Sequence, residues 1–277
     1  MVFKGLLVVI SGFVFIFASG VPMRLIARFR PDYKREGIYW GVLIWIFAFF
    51  LSTFLLTFSK MVISGSVDTG PSTSAWPFLL GTLFTTLLVQ VGITIYLKNK
   101  RKKNEDLIES GMAVGFGVGF VIAQILTGII LITTGAVIAF QSMGITIPAG
   151  IIQEEMLDKV ASSSLLELVP ALISFILYRV AVLAICSSQG YLIARSIEGK
   201  KHLFWVALLG YTAFVWINLL IQKILSEPNL NQISLGLTSP LTSLVSAAYY
   251  LGAFILVFRW LSGELNSAGR KEDHTRR

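Results

Sequence analysis

The chain has 277 residues, of which 55% are hydrophobic and only 14% charged. Soluble domains carry roughly 25% charged residues, so this composition excludes an ordinary globular enzyme, a disordered chain and a disulfide-stapled secreted module. The net charge of +8 does not point to nucleic acid, because the charges fall in short clusters between apolar runs.

About 20 apolar residues, at 1.5 Å of rise each, cross a hydrocarbon core ~30 Å thick. On that measure the apolar runs predict seven helices, near 5–25, 37–60, 76–97, 111–140, 165–194, 203–225 and 237–261. The runs are continuously apolar, whereas barrel strands alternate. The expected fold is therefore all-α, a polytopic transmembrane helix bundle of about seven spans. It forms one domain over 1–263, followed by a basic tail at 264–277.

The first run carries Lys4 and ends in Ala18-Ser19-Gly20, which is the pattern of a cleavable leader. Five basic residues follow it and one precedes it, so it reads as a span instead. Residues 60–75, rich in Gly and Ser, read as an exposed loop. Residues 141–163, with Pro148 and Gly150, read as an interfacial or re-entrant segment.

Basic residues set orientation. Eighteen Lys and Arg fall in the first, third and fifth connections and the tail; four (Lys4, Lys60, Lys159 and Lys223) fall on the other side. The asymmetry predicts an outside N-terminus and a cytoplasmic C-terminus. An integral protein of a prokaryotic plasma membrane is expected.

Polar groups within spans are the functional candidates, since charge in hydrocarbon is costly. Arg179 is the one charge deep in a span. Glu167 lies twelve residues away on the same helix, roughly 18 Å along its axis, and is out of reach. Arg179 either fixes packing through carbonyls and amides of adjacent helices or grips an anionic ligand.

Absences narrow the chemistry. The two histidines, His202 and His274, lie at a boundary and in the tail. A zinc site needs three or four converging ligands, and a serine nucleophile needs a base beside it. The spans supply neither, so no metal, no cofactor and no catalytic residue is expected. Gly111, Gly115 and Gly119 recur every fourth residue with Gly117 between them, a spacing that lets a neighbouring helix approach closely. The rival G-x-G-x-x-G reading lacks a preceding strand.

With these motifs in hand, the chain resembles the YhfC family of intramembrane metalloproteases, relatives of the CAAX-protease-like membrane proteins. Leu83-Phe84-Thr85-Thr86 resembles the family's G-L-F-E-E-x-x-R motif, with Val89 at its arginine. Gly115-Phe116-Gly117-Val118-Gly119-Phe120-Val121-Ile122-Ala123 resembles G-x-G-H-G-x-x-E-A. Val118 then stands at the histidine and Ile122 at the glutamate. Tyr178-Arg179 resembles the later E-R pair, Cys186 falls near the next histidine and Tyr211 near the last. The glycines and the arginine match, while each proposed acid, base and metal ligand is replaced. The resemblance implies a degenerate, non-catalytic relative.

The expected function is binding of a lipid or a membrane-embedded protein partner in the cavity where the family keeps its metal. Arg179, Gln90, Gln124, Thr85 and Thr86 are expected to line it. The alternative is a membrane transport protein or the membrane subunit of a transporter, with a polar path through Gln90, Gln124, Ser187, Gln189 and Asn218. Nucleic acid is not an expected partner.

Overall fold

In the computed structural model, the described residues are 2–18, 20–21, 24, 35–64, 76–103, 105–122, 125–145, 160, 162–225 and 240–275. Among them the secondary structure is all helical: α1 (Val2–Ala18), α2 (Arg35–Ser64), α3 (Trp76–Lys102), α4 (Leu107–Ile122), α5 (Ile125–Ser142), α6 (Leu165–Ile197), α7 (His202–Leu225) and α8 (Pro240–Thr275). Five stretches are long and apolar enough to cross a membrane: Glu36–Leu55, Leu79–Lys102, Leu165–Ile197, His202–Gln222 and Pro240–Glu264. The chain is an α-helical, multi-pass membrane protein.

The span expected over 111–140 is covered by α4, of 16 residues, and α5, of 18, with residues 123 and 124 between them outside the described residues. Each packs on a different helix through its own small residues. The last helix runs on to Thr275, through residues read as tail. The expected re-entrant segment falls mostly at 146–159, outside the described residues, as does most of the first basic connection.

The chain divides into two compact units. Unit 1 comprises Met1–Leu25, Ala123–Val182 and Asn218–Arg259; unit 2 comprises Ile26–Ile122, Leu183–Ile217 and Trp260–Arg277.

In unit 1, α1 packs antiparallel on α5 through glycines. A Cβ added at Gly5 would sit 2.6 Å from the Gly135 carbonyl oxygen, and one at Gly12 would sit 2.8 Å from that of Gly128. Val8, Leu131, Ile138, Val160, Leu168 and Leu172 form the apolar core beside this seam. At the start of α6, Glu167 Oε2 accepts the Ser164 backbone N–H at 2.7 Å, one half of a capping box. The Lys4 ammonium donates to the Ser163 carbonyl at 2.5 Å, tying α1 to that helix start.

In unit 2, α2 and α3 run antiparallel in a constant register. Glu36 meets Lys100, Trp40 meets Tyr96, Ile44 lies against Gly92, and Ser52 meets Thr85. Gly37 and Gly41 of α2 admit Ala113, Val114 and Gly117 of α4. On its other side α4 meets α6, with Gly111 against Gly190 and Gly115 against the Cys186 carbonyl. Such small-residue seams let backbones approach closely where lipid offers no competing hydrophobic drive. Gly119 is buried in the same helix.

Candidate functional site

Arg179 is wholly buried, at 0% exposure. It shares a face of α6 with Phe175, one turn before it, because residues four apart stack on a helix. Phe15 of α1 lies over the guanidinium, its ring centroid 4.8 Å from Cζ. Phe15 in turn contacts Phe175, with centroids 5.4 Å apart. A desolvated cation over an aromatic face gains ~2 kcal/mol or more. Placing arginine at mid-helix in a membrane costs ~2.5–3.5 kcal/mol on insertion scales. Phe15 therefore offsets a large part of that cost, and it arrives from the far end of the sequence.

Beside Arg179, the Tyr178 ring makes an edge contact with Tyr250 at 5.2 Å. The Tyr250 hydroxyl donates to Asn218 Oδ1 at 2.5 Å, and the Gln222 amide is 3.5 Å from the same oxygen. Unit 1 thus holds a layer of one guanidinium, four aromatic rings and two amides, drawn from α1, α6, α7 and α8. This layer is the strongest candidate site in the described residues.

Gln90, Thr85 and Thr86 belong to unit 2, whereas Arg179 belongs to unit 1. Gln124 lies outside the described residues. The Thr85 hydroxyl donates to Ser52 Oγ or the Gly81 carbonyl, each at 2.8 Å, and Thr86 donates to the Thr82 carbonyl at 2.7 Å. Those two hydroxyls are satisfied by packing partners. Gln90 differs. It is fully buried, and neither its Oε1 nor its Nε2 has a hydrogen-bond partner among the described residues. The Ser187 and Thr212 hydroxyls and the Gln189 amide nitrogen are in the same state.

Phe15, Phe175 and Tyr250 were not anticipated as members of a site, and Tyr178 was singled out only as half of the Tyr178-Arg179 motif. Phe175 had a readable signal, its four-residue spacing from Arg179. Phe15 had none, because nothing local in α1 marks its partner.

The residues present do not fit the metal that the family resemblance implies. Val118 and Ile122, standing at the histidine and glutamate positions, offer no lone pair on a side chain. Val118 is buried at 1% exposure within α4. Among the described residues no three His, Cys, Asp or Glu side chains come together to hold a metal ion. Compared with family models, with curated proteins and with solved structures, the chain gives no match in any of the three.

Proposed function

We propose that the chain is a non-catalytic membrane protein, related to the YhfC-like scaffold, that holds an anionic group of a lipid or of a membrane-embedded partner at the Arg179 layer. The observation that carries this reading is a fully buried, permanently charged guanidinium set among aromatic rings in a membrane-length helix. Guanidinium recognises carboxylate and phosphate through two parallel hydrogen bonds, which an ammonium cannot reproduce. An ionisable group at such depth is a functional candidate by default.

The test is native mass spectrometry of the protein released from mild detergent. Wild type is expected to carry a specific acidic species, Arg179→Lys to keep part of it, and Arg179→Met to lose it while staying folded. Identical bound species in all three would leave Arg179 with packing alone.

The 18-to-4 distribution of basic residues supports an outside N-terminus and a cytoplasmic C-terminus, in a prokaryotic plasma membrane. Cysteine placed at Ser66 should react with an impermeant reagent added to whole cells, and cysteine placed at Asn104 should not. The native thiol will not interfere, since Cys186 is buried. The opposite labelling pattern would invert the topology.

A second reading, transport, draws on the unpartnered amide of Gln90. Buried polar groups without partners are rare in native proteins and often mark water or ligand. If Gln90 borders a hydrated path, Gln90→Leu should abolish solute flux in proteoliposomes. If it is merely packed dry, the same change should raise thermal stability by ~1 kcal/mol or more, through removal of an unsatisfied group. Unchanged flux together with a raised melting temperature would remove the transport reading.

A further inference from the structure

One end of unit 2 carries an excess of exposed positive charge that the acids described there do not neutralise. Lys98, Arg101, Lys102 and Lys103 lie at the end of α3, and Lys200 and Lys201 lie in the turn between α6 and α7; all six are exposed. The two segments are physically joined. Arg101 Nη1 donates to the Ile197 carbonyl at 3.0 Å, across 96 positions of sequence. The close approach of Gly111 to Gly190 and Ala194 holds α4, the helix that follows α3, against α6.

The acids at this end have internal work. Glu36 and Glu105 both hold the buried Lys100 ammonium at 3.0 Å. Asp106 Oδ1 accepts the backbone N–H groups of Ile108 and Glu109 at 2.8 and 3.1 Å, capping α4. Glu198 pairs with Arg195 at 2.7 Å, and Glu264 accepts the Tyr191 hydroxyl at 3.2 Å. Among the described residues, Lys98, Lys102, Lys103, Lys200 and Lys201 make no ion pair. Among the described residues, then, that charge faces outward without an acidic partner.

Depth identifies the anion. These residues stand at the ends of the apolar stretches Leu79–Lys102 and Leu165–Ile197 and at the start of His202–Gln222. Lipid phosphates lie at that level of a bilayer. We propose that the turns after α3 and α6 form one shared binding site for the headgroup of an anionic glycerophospholipid, with Arg101 as the positioning residue that joins them. The site is in different residues and a different unit from the Arg179 layer, so it stands or falls separately.

The test uses the full chain in detergent micelles doped with equal amounts of phosphatidylglycerol and phosphatidylcholine, with retained lipid counted by native mass spectrometry. Wild type and the control Lys60→Gln are expected to retain phosphatidylglycerol preferentially. Each surface cation contributes about fivefold to anionic-lipid affinity. Lys102→Gln/Lys103→Gln and Lys200→Gln/Lys201→Gln should therefore each weaken retention by about 30-fold, with no change in phosphatidylcholine. Arg101→Gln should weaken retention as well, and millimolar inorganic phosphate should not displace the lipid. Three results would overturn the proposal: full retention in either double variant, equal loss of both lipids, or displacement by free phosphate, which would make the site one for a soluble anion.

Discussion

Gly190→Ala is expected to prevent unit 2 from assembling. A Cβ there would overlap the backbone carbonyl of Gly111 and crowd the Gly115 Cα at 3.2 Å. Backbone cannot rotate aside as a side chain does, so α4 and α6 would have to separate along the whole seam. Overpacking costs ~1–3 kcal/mol where side chains give way; here the loss should lie at or beyond the upper end. Gly117→Ala should behave similarly, because its Cβ would overlap the Ile38 carbonyl. Gly210→Ala and Gly252→Ala are the internal controls. Nothing lies within 4 Å of a Cβ at either position, and alanine favours helix over glycine by ~1 kcal/mol. Fluorescence-detected size exclusion after a heating series reads the ranking directly. A monodisperse Gly190→Ala protein with the wild-type melting temperature would refute the seam.

The second large effect concerns Lys100, whose side chain is 8% exposed, while that of Glu36 is 57% exposed and that of Glu105 is 21% exposed. The Lys100 ammonium also lies 5.6 Å from the Tyr96 ring centroid. Removing one side of a buried ion pair costs ~3–5 kcal/mol when the remaining charge stays out of water. The asymmetry of burial decides which side matters. Lys100→Met leaves Glu36 hydrated and Glu105 partly so, and should cost less than that range. Glu36→Gln/Glu105→Gln leaves a buried ammonium without a counter-charge and should cost the fuller amount. Glu36→Gln alone should be nearly silent, since its carboxylate is mostly in water and Glu105 remains. Chemical denaturation of the three variants in one detergent tests the order. A Lys100→Met protein weaker than the double variant would reverse the reasoning.

The helices were legible because each is written in local terms: apolar runs of spanning length, bounded by clusters of charge. The glycines of α4 also declared themselves by spacing, although their partners Gly37, Gly41 and Gly190 sit in other helices and had no distinguishing mark. What could not be read was which helix meets which. Arg179 is conspicuous in sequence as a lone charge, yet Phe15, 164 positions earlier, looks like any other apolar residue of α1. The expected cavity grouped Arg179 with Gln90, Gln124, Thr85 and Thr86, polar residues at span depth placed where the resembling family keeps its metal. Polarity alone does not distinguish a hydroxyl satisfied by its own helix, as in Thr86, from an amide left unpartnered, as in Gln90. That α4 and α5 take different partners was hidden for a related reason. Continuous hydrophobicity reports that a segment is buried in something apolar, and says nothing of how many partners share it.

The pairing of α1 with α5 also has a consequence in time. Gly5 meets Gly135, and Gly12 meets Gly128, so α1 is synthesised more than a hundred residues before its partner. At ~5–20 residues per second, α1 waits on the order of 10 seconds before α5 emerges, while α2, α3 and α4, neighbours in the chain, are already able to dock. During that interval the Gly5–Gly12 face has only lipid or an accessory insertion factor against it. A ribosome-bound chain arrested soon after residue 122 should therefore crosslink from Gly5 or Gly12 to lipid or to the insertion machinery, and one arrested well past residue 142 should crosslink to α5. Early crosslinking to α2 or α3 would show a transient partner that α5 displaces from this face.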